Sequence, residues 1–141
     1  MQMALSKFIA LKFPDVIFTA EASGVRTSYV QAAKMKMMRS TGSHLDMIIL
    51  EPRGLYAGLI LELKDQSKSP FLLDGSLSKT EHVQAQAAMI NRLKKKGYFS
   101  AFAVGLDQAM AIIYHYMNQP TFYGFIEQRQ QNKESISENG R

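Results

Sequence analysis

An α/β fold, with a mixed central β-sheet flanked on both faces by helices, is predicted for this chain by three observations. Segments of helical and strand character alternate in the order helix, strand, helix, strand, strand, helix, strand, helix. Residues 57–63 (AGLILEL) form a nearly continuous apolar run, the signature of a strand covered on both faces. Residues 42–50 (GSHLDMIIL) and 59–65 (LILELKD) are separated by EPRGLYAG, whose Pro52 and Gly54 supply turn chemistry, so the two strands are expected to pair antiparallel. No internal repeat or dividing linker interrupts the 141 residues, a length sufficient for one hydrophobic core. The expected organisation is a single domain over residues 1–125 and a polar, flexible tail over residues 126–141.

The elements follow in chain order. Residues 3–13 (MALSKFIALKF) are helical in character and stop before Pro14. VIFTA at 16–20 is a short strand ended by Glu21 and the Ser23-Gly24 break. A stretch rich in Ala, Met and Lys runs helically from about Thr27 to Arg39, where Ser40-Thr41-Gly42-Ser43 ends it. The strand pair comes next, followed by DQSKSPFLLDGSLS at 65–78, a polar stretch with Pro70 and Gly75 that reads as a long loop or lid. Ser78 is the expected N-cap of the following helix, with Glu81 completing a capping box and Gly97 closing the far end. Val83, Ala85, Ala88, Met89 and Leu93 are its expected buried stripe. YFSAFAVG at 98–105 is a further strand, and Asp107 to Met117 an amphipathic helix.

The composition is that of a globular protein, 46% hydrophobic and 21% charged. Without cysteine there is no disulfide, no zinc–thiolate centre and no cysteine nucleophile. No stretch approaches the roughly 20 apolar residues of a membrane span. The N-terminal segment, interrupted by Lys7 and Lys12, lacks a clean cleavage site, so a cytoplasmic, unprocessed protein without a membrane partner is expected. A net charge of +5 leans toward polyanion binding. Arg26, Lys34, Lys36 and Arg39 fall in one predicted helix, and with Lys68 and Lys79 they are the candidate contacts to a nucleic-acid backbone. Lys94, Lys95 and Lys96, by contrast, complement the dipole at a helix C-terminus.

The chemistry concentrates in the two central strands. Asp46 stands at the start of the first; Glu62 and Lys64, two apart, leave one face of the second. Burying two carboxylates is costly unless a cation compensates. Mg²⁺ or Mn²⁺ meets that need, held by Asp46 and Glu62 with the backbone carbonyl of Leu63 as a further oxygen donor. Such an ion acidifies water and offsets charge on a scissile phosphate, which is the apparatus of phosphodiester hydrolysis. Lys64 either orients or deprotonates the attacking water or stabilises developing negative charge. Glu21, at the end of the early strand, is a further acid within reach, and Gln86 projects an amide from the helix after the loop.

In order and spacing, these residues resemble the PD-(D/E)XK nuclease superfamily, and more narrowly the VRR-NUC domain, the virus-type replication-repair nuclease module. Glu21 with Gly24 and Arg26 corresponds to the family's acid-plus-glycine segment, Gly42 through Asp46 to its Gly-x-Pro-Asp strand, and Glu62-Leu63-Lys64 to its Glu-x-Lys strand. Gln86 matches the family's helix glutamine by its distance to Gly97-Tyr98, with Gln84 as the alternative. The match runs from about residue 15 to 117. Leu45 replaces the family's proline, and GSHLD is slightly longer than the usual segment, leaving the place of His44 open. The resemblance implies a restriction-endonuclease-like three-layer fold and a Mg²⁺- or Mn²⁺-dependent DNA nuclease. It further implies selectivity for branched DNA such as four-way junctions, action as a homodimer, and a setting in phage or bacterial replication and repair. The rival expectation is a DNA- or RNA-binding module of the same fold without catalysis.

His82 and His115 have no partner at metal-ligand spacing. The nine methionines read as core or interface filler. Tyr114, Tyr116, Phe122, Tyr123 and Phe125 form an aromatic-rich end that packs either on the core or on a second copy.

Overall fold

The computed structural model describes residues 1–21, 28–38, 45–121, 130–137 and 140. The eight predicted elements occur in the predicted order: α1 (Gln2–Lys12), β1 (Phe18–Ala20), α2 (Tyr29–Met37), β2 (Met47–Ile49), β3 (Leu59–Lys64), α3 (Glu81–Lys95), β4 (Phe99–Val104) and α4 (Leu106–Met117). A 3-10 turn at Gln66–Lys68 opens the long loop after β3. Residues 130–137, within the stretch expected to be a flexible tail, are helical.

The sheet has the order β1-β2-β3-β4. The β1–β2 and β2–β3 ladders are antiparallel, the latter as the turn chemistry of residues 51–58 requires. β3 and β4 run parallel, joined by the crossover that contains α3. The result is an α/β protein with a mixed four-stranded sheet flanked by helices, the predicted fold class.

The two-residue period of β3 divides the molecule. Leu59, Leu61 and Leu63 point to one side, where they join Met47, Ile49 and Ala103 of the neighbouring strands. Leu5 and Ile9 of α1 and Ala109, Ile113, Tyr116 and Met117 of α4 close this core. Tyr116, completely buried, donates its hydroxyl to the carbonyl of Glu51 at 2.7 Å, so the one polar atom this ring carries into the core is satisfied. Ile60, Glu62 and Lys64 point to the other side, toward α3.

α3 departs from the sequence reading at two points. Its N-cap is Thr80, without a side-chain capping bond, rather than Ser78. Ser78 is held back in the preceding loop, its N–H donating to the Pro70 carbonyl at 2.8 Å and its carbonyl accepting from Gln84 Nε2 at 2.7 Å. The buried stripe is also turned relative to the predicted one. Gln86 and Ile90 are buried, Val83 and Leu93 flank them, and Ala85 and Ala88 face water. An alanine-rich helix offers little contrast between its faces, and the larger side chains at positions 83, 90 and 93 set its rotation. The predicted C-terminal stop is present: Tyr98 N–H donates to Leu93 and Gly97 N–H to Lys94, the Schellman pattern, with Gly97 at φ 91°.

Candidate active site

Three strands bring the candidate acids into one row. β1 pairs Ala20 with Met47, and β2 pairs Met47 with Leu61. One step further along each strand stand Glu21, Asp46 and Glu62, and the Glu21 N–H donates to the Asp46 carbonyl at 3.0 Å. Because Ala20, Met47 and Leu61 face the core, alternation turns the next residues to the α3 side. The row continues onto β4 at Phe102, the partner of Glu62 in the parallel ladder.

Asp46 and Glu62 are each 7% exposed. Asp46 Oδ2 accepts the Leu63 N–H at 2.8 Å, and Oδ1 accepts from Gln2 Nε2 at 3.3 Å. The carboxylate thus seals the gap left where β2 stops and β3 continues. N–H and C=O of a strand residue leave on the same side, so the Leu63 carbonyl is directed toward Asp46 as well. Glu62 Oε1 accepts from Gln86 Nε2 and pairs with Lys64 Nζ at 3.3 Å. Burial, and after it the repulsion of the Asp46 carboxylate, pushes Glu62 up to about 7, against the pull of the Lys64 ammonium. With both acids ionised, the single ammonium of Lys64 leaves so small a cluster short of positive charge.

The structure therefore brings Asp46, Glu62, Leu63, Lys64 and Gln86 together. It separates the two glutamines of α3: Gln86 reaches Glu62, while Gln84 bonds the loop carbonyl of Ser78. Glu21 shares the row through its backbone, but two strand spacings of ~4.8 Å lie between its strand and that of Glu62. Accordingly, among the described residues no group of three or more His, Cys, Asp or Glu side chains is assembled to hold a metal ion, and the expected three-acid cluster is not formed. The smaller donor set does suit a hard divalent cation. Both carboxylates retain unused lone pairs, the added charge would relieve their repulsion, and the Gln86 Oε1 is a buried acceptor without a partner among the described residues.

Gln2 was invisible to sequence reading, because its contact with Asp46 spans 44 residues and follows no motif. Among the candidate basic residues, Lys34, Lys68 and Lys79 are exposed. Arg26 and Arg39, together with His44, lie outside the described residues, as does the Lys36 side chain. His82 and His115 are exposed on their helices. Of the aromatic end, Tyr116 packs in the core and Tyr114 lies half exposed against Phe13, while Phe122, Tyr123 and Phe125 fall outside the described residues. No helix among the described residues is long and apolar enough to cross a membrane.

No protein-family model matches the chain. No curated protein matches it either. A solved structure described as a VRR_NUC domain protein does, at 27% sequence identity and a TM-score of 0.54, over 74% of this chain and 70% of that one. The likeness that the Glu21, Asp46 and Glu62-Leu63-Lys64 segments carry in sequence thus extends to the fold, and this chain is similar to the VRR-NUC domain in both.

Proposed function

We propose that this protein is a Mg²⁺- or Mn²⁺-dependent deoxyribonuclease, selective for branched or otherwise structured DNA, in which residues 1–125 form one catalytic domain. The observation that carries the reading is the burial of Asp46 and Glu62 side by side on one sheet face, within reach of Lys64 and Gln86. A fold retained for packing alone gains nothing from two repelling carboxylates, and an apolar pair would be at least as stable there. The nuclease likeness of the related structure supports the same conclusion.

In this reading Asp46, Glu62 and the Leu63 carbonyl would hold the cation. The cation, when bound, acidifies water and offsets charge on the phosphate under attack. Asp46 is fixed by the Leu63 N–H and Gln2, so its free lone pairs have a defined direction. Gln86 fixes the rotamer of Glu62. Lys64, paired with Glu62 at 3.3 Å, would stand beside the scissile phosphate, where its ammonium could orient the attacking water or neutralise charge at the pentavalent centre. Lys34, Lys68 and Lys79, with Arg26, Lys36 and Arg39, contact the DNA backbone and position it by shape. A two-fold homodimer would set two such sites against two strands of a junction, as phage or bacterial replication-repair requires.

Incubating purified protein with four-way junction, flap, single-stranded and duplex DNA in Mg²⁺ or Mn²⁺ tests the reading. Cleavage of at least one branched substrate is expected, abolished by EDTA and by Asp46→Ala. Tight binding without cleavage in either metal would instead identify a non-catalytic binding module of this fold. Neither binding nor cleavage of any DNA would overturn both.

A further inference from the structure

The loop between Lys64 and α3 presents an apolar tip that the fold does not use. Pro70 is buried, and the Phe71 ring meets Phe102 edge-on at 6.1 Å, next to Glu62 in the β3–β4 ladder. From this base the chain makes a tight hairpin. Phe71 pairs with Leu77, Leu72 N–H donates to the Ser76 carbonyl at 2.8 Å, and Gly75 N–H donates to the Leu72 carbonyl at 2.9 Å. Asp74 Oδ1 accepts both the N–H and the hydroxyl of Ser76, at 2.9 and 2.6 Å. Gly75, at φ 80°, supplies the left-handed residue that closes such a turn. The tip is therefore held in shape by its own hydrogen bonds.

Turn chemistry accounts for Asp74 and Gly75 but not for the leucines. The first central position of the turn accepts most residues, yet it carries Leu73, wholly exposed, beside Leu72 at 51% and Phe71 at 45% exposure. A single exposed leucine is unremarkable; three consecutive large apolar residues on an ordered projection are not. Lys68 and Lys79, both exposed, stand on the two arms of the loop; Lys64 of the candidate site immediately precedes it, and Gln86 lies in the second turn of the helix that follows. An apolar wedge flanked by cations beside a phosphodiesterase site matches one occupant, a DNA duplex whose stacking is interrupted. The lysines take the phosphates, and the leucines enter the opened base step.

Resting on the nuclease reading above, we infer that Leu72 and Leu73 form a wedge inserted between bases at a branch point, and that this insertion gives the site its preference for distorted DNA. The probe is a four-way junction carrying 2-aminopurine at the branch, compared with a linear duplex of the same sequence. Wild-type protein, bound in Ca²⁺, is expected to raise the 2-aminopurine fluorescence at least twofold on the junction. The L72S/L73S variant is expected to lose that rise and to cut junctions at least tenfold more slowly in Mg²⁺. Its melting temperature and its binding to linear duplex should stay within error of wild type. Junction binding and cleavage with no fluorescence change, or a variant indistinguishable from wild type, overturns the wedge and leaves the nuclease reading standing. Absence of any DNA binding by wild type overturns both. A change in sedimentation mass in the variant, with junction cutting intact, would reassign the tip to contact with a second copy of the chain and likewise overturn the wedge.

Discussion

The two faces of β3 are built from the same six residues and serve opposite ends. Leu59, Leu61 and Leu63 face a closed apolar core in which the buried Tyr116 hydroxyl is satisfied. Glu62 and Lys64, interleaved with them, face a cluster where two acids repel one another and a buried amide oxygen lacks a partner among the described residues. One face contributes stability and the other gives some of it up, as sites adapted to chemistry commonly do. Substitutions on the two faces should accordingly separate activity from stability.

The largest effect is expected on the charged face. Asp46→Ala or Glu62→Ala should slow DNA cleavage roughly a thousandfold, equivalent to several kcal/mol of barrier, with DNA binding nearly intact. Cleavage that survives both changes would place the chemistry elsewhere. On the opposite face, Leu61→Ala should cost about 2–5 kcal/mol in urea unfolding while the activity per folded molecule is kept. Loss of activity without loss of stability would erase the division between the faces.

A subtler test uses Glu62→Gln in metal-free protein. Replacing a carboxylate that burial and Asp46 disfavour should raise stability at neutral pH by about 1 kcal/mol, and the same variant should not cleave DNA once Mg²⁺ is restored. A destabilised variant would mean that the Lys64 pairing outweighs the repulsion. The smallest effect belongs to Tyr116, which burial holds up at about 12, above its ordinary 10. A raised value in the folded state means the folded protein keeps the proton longer than the unfolded chain. Its contribution is complete below pH 10 and is lost as pH rises toward 12. Tyr116→Phe should cost about 1 kcal/mol near neutrality through the lost bond to Glu51, and should flatten the alkaline limb of the stability profile. An unchanged limb would assign it to other groups.

The order of elements along the chain and the acid-bearing strands were legible because period and burial agree along them. AGLILEL is apolar because both faces of β3 are covered, and Glu62 stands out as the single charge within that run. The rotation of α3 was not legible, because Ala85 and Ala88 are small enough to sit on either face. Gln86 belongs to the buried stripe, where a polar residue is not sought from pattern alone. Ser78 looked like a cap because serine is chemically suited to the role, yet its bond to Pro70 binds it to the hairpin and delays the helix to Thr80. The anchoring of Asp46 by Gln2 depends on where α1 docks, which no local pattern encodes.

The interleaving of core and site on β3 has a genetic consequence. Side chains alternate with a period of two, so losing or gaining one residue within Leu59–Lys64 turns every residue beyond the change to the opposite face. Glu62 and Lys64 would enter the apolar core as Leu61 and Leu63 left it. Point substitutions in this strand can be graded, but its length cannot change by one. Single-codon insertions and deletions scanned through this gene should therefore leave a folded protein when they fall in the loop over residues 65–78, at the expense of its apolar tip, and none when they fall in the six codons before it.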